Sequence, residues 1–241
     1  MAAVMIDLKD ITVRYGSKTV VDDVTATANS GQFIALVGPN GSGKSSLLKA
    51  VAGLLAHEGS TSLPSGRKDR AKQLSYLAQN CTAPHNQNVE DIIALGRTPF
   101  LGPLSKLSEA DQRAIESAAL ACETLRYFGR EFGTLSGGEQ MRVHLSRALA
   151  TDSPVILADE PTTALDPYYQ ISLMNILRTS ADAGKTLIVA LHDLKLAERY
   201  ADRIWIMQAG RLVADEPAET ALSERILRDI FRVTPSGDVM G

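Results

Sequence analysis

Phe33-Ile-Ala-Leu-Val-Gly-Pro-Asn-Gly-Ser-Gly-Lys-Ser-Ser46 is the stretch that decides the fold. Its five apolar residues, Phe33 to Val37, read as a buried strand. Gly38, Pro39, Asn40, Gly41, Ser42, Gly43, Lys44 and Ser45 follow at once and fit G-x-x-x-x-G-K-[ST]. Leu47, Leu48 and Val51 then continue as the apolar stripe of a helix that should stop at Gly53. A glycine loop between strand and helix lets backbone N–H groups turn inward around a polyphosphate. The helix N-terminus adds its partial positive charge. Lys44 is expected to reach the β- and γ-phosphates, and the Ser45 hydroxyl to ligate Mg²⁺. Ser46 completes the cradle.

The rest of the chain alternates strand and helix signals. Val4 to Val13 and Val20 to Ala28 are rich in β-branched residues and broken by Tyr15-Gly16-Ser17, which predicts an N-terminal β meander. Leu74 to Ala78, Val155 to Ala158 and Leu187 to Leu191 predict further strands. Residues from about Val89 to Ala150 read as mostly helical, interrupted at Pro99, Gly102 and Pro103. Gln170 to Ala183 has helical spacing. Ile204 to Met207 and Arg211 to Val213 predict a hairpin about Gly210, and Pro217 to Arg232 one amphipathic helix. The charge run Arg67-Lys68-Asp69-Arg70, with Lys72, reads as a solvated turn. There is no repeat, low-complexity tract or linker.

Four of these strands end directly in a chemically capable group: Gly38, Gln79, the pair Asp159-Glu160, and His192. In open parallel α/β sheets, ligands bind outside the carboxyl ends of the strands. Four such ends on one edge would make one site. Asp159 suits Mg²⁺, held through water. Glu160 lies nearer the γ-phosphate and suits a base or positioner for the attacking water, worth about 10²–10⁴-fold. His192 could donate to the γ-phosphate. His57, His85 and His144 read as surface or satisfied core residues.

Composition narrows the classes. The 241 residues are 44% hydrophobic and 22% charged with net charge −3, which argues against disorder and gives no electrostatic hint of nucleic acid, whose partners usually carry a strongly basic face. Two cysteines, Cys81 and Cys122, make no disulfide framework and suggest a reducing compartment. The opening residues lack the pattern of a signal peptide. No apolar run approaches the ~18 residues of a membrane span. The expectation is a soluble, cytoplasmic chain whose membrane part, if it has one, belongs to another chain.

Together these residues resemble the ATP-binding cassette (ABC) ATPases over nearly the whole chain. Leu135-Ser136-Gly137-Gly138-Glu139 looks like the family's signature, Gln79 falls at its Q-loop glutamine, and Ala164-Leu165-Asp166 matches its D-loop. Thr163 stands where many members have serine. Tyr15 falls where the family has an aromatic that stacks on adenine. The resemblance implies an α/β fold with a RecA-like mixed-sheet core, an N-terminal antiparallel β region and an inserted α-helical lobe. It implies a single domain over 1–241, with 1–83 and 152–241 as the catalytic core lobe and about 84–151 as the helical lobe. Glu160, His192, Lys44 and Gln79 would be catalytic. Ser45, Asp159 and Gln79 would hold Mg²⁺.

The resemblance also addresses an oddity of the signature. Ser136 and Glu139 make a capping box, yet Gly137 and Gly138 open the helix with two residues that each cost up to about 1 kcal/mol against alanine. In the family, two cassettes meet head to tail around two ATP molecules. Ser136, Gly137, Gly138 and Glu139 of one copy, with Asp166, would then face the ATP held by the other. Bare backbone at a helix N-terminus can approach a phosphate closely.

Val89-Glu-Asp-Ile-Ile-Ala-Leu-Gly-Arg-Thr-Pro-Phe100 and Gly138 to Ala150 resemble the ATPases of iron–siderophore, haem and cobalamin importers. That implies two transmembrane permease subunits as partners, a substrate-binding protein indirectly, and a place on the inner face of the cell membrane. The stretch Asn80 to Pro103 would pass the change at Gln79 to such a partner. The expectation is therefore a single cassette with no coiled-coil insertion, no fused membrane domain and no extra regulatory domain after His192. The competing expectation is a non-transport ABC ATPase of a soluble complex, such as one serving iron–sulfur cluster assembly.

Overall fold

The computed structural model describes residues 4–102 and 105–232; Pro103 and the opening Met-Ala-Ala lie outside the described residues. Two sheets carry the fold. The smaller is antiparallel, in the order β2-β1-β4, from β1 (Val4–Tyr15), β2 (Lys18–Asn29) and β4 (Glu58–Thr61). The larger contains β3 (Phe33–Val37), β5 (Leu74–Leu77), β6 (Val155–Asp159), β7 (Thr186–Ala190), β8 (Arg203–Gln208) and β9 (Arg211–Pro217), in the order β5-β6-β7-β3-β8-β9. Its first five strands are parallel, and β9 returns antiparallel beside β8.

Strands β3, β6 and β7 are buried at every position. Both faces of a parallel sheet are covered, so such strands read as continuous apolar runs. One face packs on the antiparallel sheet and α1 (Lys44–Val51), through Leu36, Leu47, Leu48, Ile188 and Trp205. The other packs on α6 (Pro167–Asp182) and α7 (Leu194–Tyr200), through Phe33, Val189, Leu173, Leu177 and Ala197. A third group of buried residues comes from α3 (Val89–Ala94), α4 (Glu109–Ala121), α5 (Gly137–Ala150) and the 3₁₀ turn Phe132–Thr134, with Ile92, Ile115, Val143 and Phe132 among them. No helix among the described residues is long and apolar enough to cross a membrane.

Three expectations change. The charge run at 67–72 is not a solvated turn but α2 (Arg67–Gln73), and it buries Arg70. The Arg70 guanidinium donates to Val51 O at 3.1 Å and Pro64 O at 2.6 Å, so it satisfies a carbonyl at the end of α1. The helix expected over Pro217–Arg232 is broken. β9 runs to Pro217, α8 (Ala218–Ala221) is one turn, and Ser223 in extended backbone starts α9 (Glu224–Ile226), which runs into a π-helical turn, Leu227–Phe231. His144, expected to be satisfied if buried, is buried with neither ring nitrogen partnered among the described residues.

The segment Leu95–Phe100 is a 3₁₀ turn docked on the end of α5. A Cβ on Gly96 would collide with the Arg147 carbonyl. Arg97 donates to Ala150 O at 2.9 Å and Thr151 O at 3.1 Å, pairs with Asp111 at 2.8 Å, and lies over the Phe100 ring at 4.0 Å. The importer-like Gly96-Arg97 pair thus locks a helix end inside this chain.

Candidate active site

The phosphate loop leaves the sheet at Gly38 and enters α1 at Lys44. Gly43, the residue before the helix, has φ +105° and supplies no side-chain cap. The first N–H groups of α1 therefore have no intrahelical or side-chain partner among the described residues, which is the arrangement that receives an anion. Lys44 is buried and folds back on its own loop, donating to Gly38 O at 2.8 Å and Pro39 O at 3.4 Å. Burial pushes its pKa down, and the nearby carboxylates of Glu160 and Asp159 push it back up by less. Asn40, Gly41, Ser42, Gly43, Lys44, Ser45, Ser46, Lys18, Val20 and Glu160 line a cavity of about 250 Å³ over the loop.

The adjacent strand ends close this cavity from the side. Ser45 Oγ donates to Asp159 Oδ1 at 2.9 Å, and Tyr76 Oη to Asp159 Oδ2 at 3.1 Å. Burial raises the Asp159 pKa; those two hydrogen bonds oppose the rise, and the Glu160 carboxylate adds to it. Glu160 follows in left-handed backbone, φ +52°, with its N–H on Ala190 O at 3.1 Å. A residue with a Cβ is held there at about 1–2 kcal/mol of strain. Its two oxygens are both engaged. Gln79 Nε2 donates to Oε2 at 2.5 Å, and His192 Nε2 lies 2.6 Å from Oε1. Parallel register between β5, β6 and β7 brings these three ends side by side.

The structure thus gathers Lys44, Ser45, Gln79, Asp159, Glu160 and His192 at one edge. Ser136, Gly137, Gly138 and Glu139 do not line this cavity; they open α5, where Glu139 Oε2 accepts from the Ser136 N–H at 2.8 Å. Asp166 caps α6, accepting from the Tyr169 N–H at 3.1 Å. Tyr15 is half exposed at the turn of the β1–β2 hairpin and is not in the cavity wall. The two signature glycines differ. A Cβ on Gly137 would meet nothing within 4 Å, whereas one on Gly138 would stand 2.7 Å from the Tyr169 ring. Gly138 therefore has a reason inside one chain, since it lets α5 and α6 touch. Three residues escaped the sequence reading as parts of the site: Lys18 and Val20, which line the cavity, and Tyr76, which holds Asp159 beside it. Tyr76 carries a hydroxyl in an otherwise apolar strand, a usable signal. Lys18 carries none, since a lysine beside a turn is ordinary.

The donor set suits a nucleoside triphosphate with Mg²⁺. Ser42 Oγ is buried without a partner among the described residues, in the loop itself. Ser45 and Asp159 supply hard oxygen ligands at one point. No group of three or more His, Cys, Asp or Glu side chains placed to hold a metal ion occurs among the described residues.

Comparison with known proteins agrees. A family model described as "ABC transporter" matches residues 21–163. The hemin import ATP-binding protein HmuV of Rhodococcus jostii is 37% identical over 236 residues, covering 95% of this chain and 80% of its own. HmuV of Pseudomonas fluorescens is also 37% identical, covering 94% and 92%. The petrobactin import ATP-binding protein FpuD of Bacillus anthracis is 32% identical, covering 95% and 86%. Among solved structures, a metal-chelate type ABC transporter in an inward-facing conformation superposes with TM-score 0.85 over 96% of this chain and 90% of that one, at 22% identity, which speaks to the fold alone. A bacterial ABC transporter cassette solved as a dimer gives 0.77 at 27% identity, covering 89% of this chain and 99% of its own. The sheet order, the phosphate loop and the strand-end carboxylates are those of an ATPase, and the chain belongs to the ABC transporter family as one of its ATP-binding cassettes.

Proposed function

We propose that this cassette powers the import of haem or an iron chelate through separate membrane subunits, pairing head to tail with a second copy around two ATP molecules. The observation that carries the chemistry is Glu160, a buried carboxylate on the phosphate cavity with one oxygen on Gln79 and the other beside His192. The names of the HmuV and FpuD relatives carry the cargo. Residues 1–83 and 152–241 act as the core lobe and about 84–151 as the helical lobe, a division supported by the separate group of buried residues in α3, α4 and α5.

ATP binding exchanges the partners seen here. Lys44 leaves the carbonyls of Gly38 and Pro39 for the β- and γ-phosphates, which compensate a buried ammonium better than two neutral acceptors. Ser45 and Asp159, with Gln79, would hold Mg²⁺, and the ion would supply positive charge to the phosphates. Were Gln79 to take up that ligand role and His192 to donate to the γ-phosphate, Glu160 would be released from both. Its free oxygen then orients the attacking water and accepts its proton. The partner's Ser136-Gly137-Gly138 turn closes on the same γ-phosphate, so hydrolysis removes the contact that joins the copies. The stretch after Gln79 passes this change to two permease subunits, and through them to a binding protein, at the inner face of the membrane.

Glu160→Gln tests the reading. The variant should bind ATP, hydrolyse it at least ~100-fold more slowly and accumulate as an ATP-bound dimer. A rate within a few-fold of wild type removes Glu160 from the chemistry. The same tagged variant, purified from gently solubilised membranes, should carry a polytopic protein in a two-plus-two assembly. A soluble scaffold in its place would overturn the transport role while leaving the ATPase chemistry intact.

A further inference from the structure

The wall of the phosphate cavity contains three charged side chains, Lys44, Glu160 and Lys18, and the third is unassigned. We propose that the Lys18 ammonium contacts the phosphates of the bound nucleotide at the end nearer the base. The proposal rests on the reading that ATP occupies this cavity.

Lys18 starts β2 and pairs directly across the hairpin with Tyr15, so the two side chains share a face of the sheet. Val20, two residues on, shares that face too and also lines the cavity. The start of β2 is pressed against the phosphate loop, with Val20 O only 2.5 Å from where a Cβ on Gly43 would stand. Lys18 therefore lies between Tyr15 and the loop residues Gly43 to Ser46, which is the path from base to phosphates if Tyr15 meets the adenine.

Lys44 faces two carboxylates, Glu160 and Asp159, and both act on its ionisation. The Lys44 ammonium is thus shared with two carboxylates, so among the charged side chains it does not by itself offset a polyphosphate. Lys18 is the other cation on its wall, and its side chain makes no ion pair or hydrogen bond among the described residues. A lysine is a point charge on a flexible stem, so it needs no fixed fork geometry to reach a phosphate. Lys18 is exposed, which sets the size of the effect between that of a surface ion pair and that of a charge-assisted hydrogen bond.

The test is nucleotide affinity of the full chain at low salt, by competition against a fluorescent ATP analogue. Lys18→Ala should weaken ATP and ADP alike by about fivefold, as for a partly solvated charge contact, and Lys18→Glu by more. Lys18→Arg should restore both, and adenosine affinity should not move. Wild-type ATP affinity should also fall more steeply with added KCl than that of Lys18→Ala, because one charge contact has gone. The nucleotide-free unfolding midpoint should be the same in all of them. ATP and ADP affinities unchanged in Lys18→Ala, or adenosine weakened as much as ATP, would overturn the proposal. Lys44→Ala, run beside them, should lose ATP. If it does not, the nucleotide assignment of the whole cavity fails, and that failure is separate from the failure of Lys18 alone.

Discussion

His144 lies on the signature helix with 2% of its surface exposed. Its ring meets Phe132 edge-on at 5.1 Å, and neither nitrogen has a partner among the described residues. Burial, with the Arg147 guanidinium nearby, pushes its pKa down to about 4. An unfolded histidine titrates near 6.5. Between these values the unfolded chain takes up a proton that the folded chain refuses, so stability is full above about pH 6.5, falls as the pH drops, and levels off below about pH 4. At pH 5 the loss from this one residue is about 2 kcal/mol. His144→Leu removes the group. At pH 7.5 the variant should be close to wild type, because losing two unsatisfied buried nitrogens offsets the lost ring contact, each worth about 1 kcal/mol. At pH 5 it should be more stable by about 2 kcal/mol, a rise in melting temperature of about 4–8 °C for a chain of this size. Asp111 does not confound the comparison, because Ser108 and Arg97 hold its pKa to about 2. The assay is circular-dichroism melting of nucleotide-free protein at both pH values. The same difference between variant and wild type at pH 7.5 and pH 5 would refute the argument, since it would mean that His144 takes up its proton as readily folded as unfolded.

Two further outcomes follow from single contacts. Gly138→Ala should destabilise the nucleotide-free chain by about 1–3 kcal/mol through overpacking against Tyr169, whereas Gly137→Ala should leave it unchanged or stabilise it by a few tenths of a kcal/mol yet block ATP-driven dimerisation. Equal stabilities of the two in urea melts, or normal dimerisation by Gly137→Ala in gel filtration, would contradict the roles given to these glycines. Arg97→Met should cost about 3–5 kcal/mol by stranding a buried carboxylate, and Asp111→Asn in that background should recover much of it. A loss below about 1 kcal/mol would show that the Arg97–Asp111 pair is not sealed from water.

The local part of this fold was readable because its causes are local. A buried parallel strand is an unbroken apolar run, and Phe33–Val37, Val155–Asp159 and Thr186–Ala190 appear nearly where the runs place them. β4 escaped because Glu58-Gly-Ser-Thr61 is a polar edge strand with no alternation, whose strand partner β1 is distant in sequence. Helix α2 escaped because its charge run hides an inward arginine, and nothing nearby in sequence shows that Val51 O lacks a partner.

The sequence by itself determined the chemistry available. A loop followed by a bare helix N-terminus sets where an anion sits, and strand ends set which groups face it, whatever else the chain does. Only the tertiary structure decided how those groups are deployed. Gln79 meets Glu160 across 81 residues, Gly138 owes its missing side chain to Tyr169, and Lys18 reaches the phosphate cavity because β2 is pressed on Gly43. Each of these contacts depends on the order and register of strands or the docking of helices from distant parts of the chain, and no periodicity within a segment encodes which distant segment it will touch.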